Sequence, residues 1–121
     1  MRHNFKNLKI WILGMDIVSD IFKLTKTFPK SETYGLVSQM NRSSVSIPSN
    51  IAEGSNRENK HFKYYLNISL GSSFELQTQL LIAFQNEYLS KKTTEEIEHK
   101  IIEFQKMTTG FISKLDTNLS S

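Results

Sequence analysis

The stretch from Ser43 to Arg57 constrains the fold of this chain more than any other part of it. Apolar residues recur there at helical spacing, with Leu36, Met40, Ile47 and Ile51 forming one stripe. Beside them runs a second in-phase series, Gln39, Arg42, Ser46, Asn50, Glu53 and Arg57, in steps of three and four. A solvated helix face more often carries Lys and Glu than Gln, Ser and Asn. The row therefore reads as a hydrogen-bonded seam between helices or subunits, where buried polar groups need partners. Glu75, Gln79 and Ser72 face it from the next helical stretch. Pro48 interrupts the pattern by removing one backbone donor. It is expected to bend the helix near Ser44 and free a carbonyl for a side chain or water.

Helical periodicity extends along the chain, with no convincing strand pattern between. Helices are expected at about residues 7–25, 33–53, 59–86 and 94–118 of one domain spanning 1–121. The first stops before Phe28-Pro29, because a residue preceding proline avoids helical angles. The second ends at Gly54, a natural left-handed C-terminal residue. The fourth opens at Thr94, followed by Glu95 and Glu96, whose charges suit a helix N-terminus. Short connections favour antiparallel neighbours, hence an all-α, antiparallel up-down four-helix bundle. The third helix is small in its middle (Ser69, Gly71, Ser72, Ser73). A mid-helix glycine costs about 1 kcal/mol against alanine, so Gly71 points to close helix packing.

The first helix is apolar on two sides. Leu8, Trp11, Ile12, Met15, Val18 and Phe22 make one stripe; Ile10, Leu13, Ile17, Ile21 and Leu24 make another. A surface helix of a monomeric bundle needs one such stripe. The second is read as an oligomer interface, covered by another copy of the chain. The competing reading sinks the first helix unusually deep in its own bundle.

Charge is unevenly placed. The net charge is +3, and residues 1–30 alone carry six cations against Asp16 and Asp20. A basic end permits binding to RNA, DNA or an acidic protein, although solvated lysines also produce such a balance. Along the polar row, the structural reading pairs Arg42 with Glu53. The functional one sends Arg42 and Arg57 to phosphates, positioned by Asn50 and Gln39. Lys6, Lys9, Lys60 and Lys63 complete the candidate nucleic-acid contacts.

Other chemistries find little support. Cysteine is absent, which excludes disulfides, thiolate zinc sites and cysteine nucleophiles. Glu96 and His99 have the Glu-x-x-His spacing of di-iron bundles, but Ile97 holds the core seam and turns both outward, so no metal is expected. Arg57 and His61 stand too close for helical ribonucleases of the HEPN type. No phosphate-binding glycine loop or acid/base pair is evident. Neither enzymatic activity nor a cofactor is expected. With no membrane-length apolar run and no signal-peptide pattern, a cytoplasmic location is the default.

Several of these residues carry a family resemblance. Trp11 after Leu8, Phe28-Pro29-x-x-Glu32-x-Tyr34-Gly35-Leu36, Gln39-x-x-Arg42, Ser46-Ile47-Pro48-Ser49-Asn50-Ile51-Ala52-Glu53-Gly54 and Gly71-Ser72-x-x-Glu75-Leu76-x-Thr78-Gln79-Leu80 resemble the four-helix-bundle proteins of the 23S rRNA intervening-sequence family. The likeness covers nearly the whole chain. It implies a bacterial, ribosomal-protein-like bundle assembled as a ring-shaped homopentamer, and no established catalytic residues. A related branch comprises accessory proteins of diversity-generating retroelements, which bind nucleic acid and a reverse transcriptase. The expected function is a non-enzymatic RNA- or DNA-binding accessory module acting as a homo-oligomer. The alternative is a structural or protein-interaction scaffold with no nucleic-acid role.

Overall fold

The computed structural model describes the backbone of residues 4–120 and the side chains of residues 4–117. Arg2 and His3 lie outside the described residues. Four helices follow one another: α1 (Lys9–Thr25), α2 (Leu36–Ser55), α3 (Asn59–Gln85) and α4 (Lys91–Ser120). Short 3-10 turns, Phe5–Asn7 and Lys30–Glu32, precede α1 and α2, and no strand occurs among the described residues.

Each helix contributes one apolar stripe to a shared core. From α1 come Ile10, Ile17 and Ile21; from α2, Met40, Ile47 and Ile51. From α3 come Phe62, Leu66, Leu76 and Leu80; from α4, Ile97, Ile101, Phe104 and Leu115. Complete burial of one such side chain contributes roughly 1.5–3 kcal/mol, which makes this core the main source of stability.

The two stripes of α1 exchange the roles expected of them. Ile17 and Ile21 are fully buried, Ile10 nearly so, and Leu13 and Leu24 pack half-buried against the same core. This row is the bundle's own seam and cannot also be a face for another copy. The opposite stripe is the open one, with Ile12, Met15 and Phe22 exposed. The physical reason is Gly14, which falls in the buried row. A Cβ there would meet Ile47 Cγ2 at 3.2 Å and Pro48 Cβ at 3.5 Å, so its absence lets α2 lie close.

Two other glycines also depart from expectation. Gly54 is not left-handed; it lies inside α2, where an added Cβ would come within 2.7 Å of Tyr65 Cβ and 2.9 Å of Phe62 Cδ1. Gly71 is exposed, with nothing within 4 Å of the corresponding position, so no helix of this chain uses it for close packing.

The helix starts are set by side chains. Glu32 accepts a bond from the Leu36 amide at 3.3 Å and another from the Tyr88 hydroxyl at 2.8 Å, tying the start of α2 to the α3–α4 connection. The second helix therefore begins at Leu36 and not near residue 33. Before α4, Ser90 Oγ accepts from the Thr93 amide at 3.1 Å. That serine replaces Thr94 as the capping residue, and Thr94 is buried with its hydroxyl donating to the Ser90 carbonyl.

Candidate functional site

Pro48 leaves α2 continuous from Leu36 to Ser55. Just before it, the Ile47 carbonyl accepts a buried hydrogen bond from Ser69 Oγ of α3 at 2.7 Å. This is not the carbonyl that Pro48 leaves without its helical donor, which is that of Ser44 four residues back. A bond of this kind is worth about 1 kcal/mol. It also draws the two helices together where their outer edges carry polar residues.

Along that edge the expected seam is only partly realised. Ser46 Oγ and Ser72 Oγ lie 2.8 Å apart, and Asn50 Nδ2 donates to Ser46 Oγ at 2.9 Å. Ser43 Oγ has one proton and two acceptors in reach, Glu75 Oε1 at 2.9 Å and the Gln39 carbonyl at 3.0 Å. Ser43 itself, one position off the polar row, went unrecognised in the sequence. A helix hydroxyl beside a facing carboxylate was the available sign. Gln79 is buried, and its Oε1 meets no donor among the described residues.

Gln39 and Arg42 remain exposed and line the edge without crossing it. With Ser43, Ser46, Ser72 and Glu75 they surround a cleft of about 310 Å³ between α2 and α3. Arg42 does not pair with Glu53. That carboxylate instead meets Arg57 at 2.8 Å, four residues on and just past the end of α2. Arg42 makes no ion pair among the described residues.

The other candidate cations divide into two groups. Arg57 bonds Glu53 and lies over the Tyr65 ring, 5.0 Å from its centroid. The hydrogen bond to Glu53, then the field of Tyr65, raises the guanidinium above its ordinary pKa range. Lys63 bridges to Asp116 of α4 at 2.7 Å. Lys6, Lys9 and Lys60 are exposed and carry no ion pair among the described residues. Of the six cations, two are therefore held by carboxylates of the chain and four are not.

The Glu-x-x-His pair stays apart from this edge. Glu96 and His99 are exposed on α4. Among the described residues, no group of three or more His, Asp or Glu side chains is arranged to hold a metal ion. No helix, over those residues, is long and apolar enough to cross a membrane.

Among solved structures, the chain is similar to a protein of unknown function from the S23 ribosomal protein family of Bacteroides thetaiotaomicron. The two are 24% identical over 85% of this chain and 97% of the other, with a TM-score of 0.79. That likeness concerns the fold. No curated protein matches the chain. Residues 6–110 match the family described as 23S rRNA-intervening sequence protein, a span that takes in α1, α2, α3, most of α4 and the whole polar edge. The chain belongs to the 23S rRNA-intervening sequence protein family.

Proposed function

We propose that this chain is a non-enzymatic nucleic-acid-binding module that works as a homo-oligomer of antiparallel helical bundles in the cytoplasm. The observation that carries the binding role is uncompensated charge. Lys6, Lys9, Arg42 and Lys60 are exposed and free of ion pairs among the described residues, on a protein of net charge +3. Cations of this kind release counterions when they meet phosphates, and the released ions drive association. Arg57 and Lys63 contribute less, since each first has to leave a carboxylate. Cross-helix contacts support the antiparallel order: Ser43 meets Glu75, Ser46 meets Ser72, and Lys63 meets Asp116. Exposed Ile12, Met15 and Phe22 on α1, with Ile68 and Phe74 on α3, support self-association, in keeping with a ring.

A salt titration of binding to structured RNA and to duplex DNA tests this reading. The expected result is a steep loss of affinity with salt, with a logarithmic slope of about −0.7 to −0.9 for each phosphate neutralised. Arg42→Ala is expected to flatten that slope by about one contact. A flat response, or no binding at low salt, overturns the proposal. The exposed apolar side chains of α3, Tyr64, Ile68, Phe74, Leu81, Ile82 and Phe84, favour a second reading. There the oligomer is a scaffold for a protein partner, such as a reverse transcriptase. Recovery of one protein partner, indifferent to nuclease, is its expected signature.

A further inference from the structure

The cleft between α2 and α3 has a feature that plain phosphate binding does not explain. Its floor is internally bonded: Asn50 to Ser46, Ser46 with Ser72, and Ser43 to Glu75. Its rim holds opposite charges, Arg42 on the α2 wall and Glu75 on the α3 wall, and they do not pair with each other. Glu75 Oε2 accepts no hydrogen bond among the described residues, and no guanidinium N–H of Arg42 is engaged there. A carboxylate beside a phosphate site repels the phosphate. It belongs in a nucleic-acid cleft only if the ligand brings a hydrogen-bond donor to it.

Proton accounting adds a second element. Ser46 and Ser72 have two hydroxyl hydrogens between them, and their mutual contact uses one. Asn50 donates to Ser46 and so takes up neither. One hydroxyl hydrogen therefore remains to donate into the cleft, whichever serine supplies it. The cleft thus offers a cation and a hydroxyl donor for an anion, and a carboxylate oxygen for a donor. At about 310 Å³ it lies at the lower end of the roughly 300–1,000 Å³ of ligand clefts.

We propose that this cleft seats one ribonucleotide of an RNA strand, its phosphate on the Arg42 guanidinium and its ribose 2′-hydroxyl donating to Glu75. The inference rests on the nucleic-acid-binding reading and deepens it into a preference for RNA. The 2′-hydroxyl is the group that distinguishes RNA from DNA at a single site. A hydroxyl is also the donor that stands close to every phosphate along an RNA strand.

The test measures fluorescence anisotropy of the full chain with three single strands of one sequence: RNA, DNA and 2′-O-methyl RNA. The expected preference for RNA over DNA is about tenfold, the size of one hydrogen bond to a charged group. The 2′-O-methyl strand, which keeps the RNA bases but loses the donor, is expected to bind like DNA. Glu75→Ala should bring the RNA/DNA ratio close to one, raising DNA affinity as repulsion is relieved. Glu75→Gln retains an acceptor oxygen and should give an intermediate ratio. Arg42→Ala should weaken both strands and leave the ratio in place.

A 2′-O-methyl strand that binds as tightly as RNA overturns the ribose contact. So does a ratio unmoved by Glu75→Ala, the outcome expected if the carboxylate instead reads a base edge common to both polymers. In either case salt-sensitive binding would persist and the broader reading would stand. Failure of all three strands to bind at low salt removes both. The 2′-O-methyl arm uses the unaltered protein and is independent of how the variants fold.

Discussion

At the scale of single residues, glycine separates packing from propensity in this bundle. Gly54 and Gly71 both sit inside helices, where alanine would be favoured by about 1 kcal/mol. Their surroundings differ. At Gly54 the obstacle is Tyr65 Cβ at 2.7 Å, an atom fixed to the α3 backbone that a rotamer change cannot move. Gly54→Ala is therefore expected to destabilise the protein by about 1–3 kcal/mol through overpacking, despite its better helix propensity. Gly71 has open space around it, and Gly71→Ala is expected to stabilise the chain by about 0.5–1 kcal/mol. Urea unfolding of both variants checks the pair. A loss of stability at Gly71 would mean that another copy of the chain packs there.

Helices joined in sequence are not equally joined in space. The joint of α1 with α4 depends partly on Lys100, which bonds Asp20 at 2.7 Å and Asp16 at 2.9 Å. The bonds to Asp20, then to Asp16, raise the lysine pKa above its ordinary 10.5. A cation whose folded pKa is raised stabilises fully below its unfolded value and loses that contribution as pH climbs through the folded one. The advantage of the natural protein over Lys100→Met should therefore be constant up to about pH 10 and shrink above 10.5. Urea midpoints of the two proteins, compared at pH 8 and pH 11, measure it. The effect will be small, because the lysine side chain is 36% exposed and solvent screens the bridge.

The same elements show what was legible in advance. Helical periodicity located all four helices, because an apolar stripe is written directly in the spacing of residues. It did not tell which stripe of α1 turns inward, since both are apolar and the decision lies in the fit of Gly14 against Ile47 and Pro48. The polar row was visible, but its cross-helix partners were not. Glu53 meets Arg57, four residues on, and not Arg42, eleven residues back; at about 1.5 Å per residue Arg42 lies about three turns away, so the spacing itself already favoured Arg57. Ser43 was missed because a serine beside the apolar stripe looks like any small core residue until Glu75 is seen across from it.

For the molecule as a whole, the outward stripe of α1 is the feature its own fold leaves without use. Ile12, Met15 and Phe22 are exposed by 52%, 44% and 42%, within one helix and on the side away from Ile17. Phe22 also borders a hollow of about 500 Å³ shared with Val45 and Arg42 of α2, so the apolar surface continues onto a second helix. Contiguous apolar surface of this kind is covered in most soluble proteins by association. If a second copy covers it, Met15→Glu with Phe22→Glu should dissociate the assembly while leaving helical content and the unfolding transition cooperative. Ile17→Glu should do something different: a carboxylate placed where Ile17 is fully buried would cost several kcal/mol, and the bundle itself should fail. Sedimentation velocity together with circular dichroism distinguishes the two. A doubly substituted protein that sediments at the size of the natural one would show that the α1 stripe is not the contact. The exposed α3 side chains Ile68, Phe74 and Leu81 would then be the surface to substitute, because they form the remaining apolar face beside the open position of Gly71.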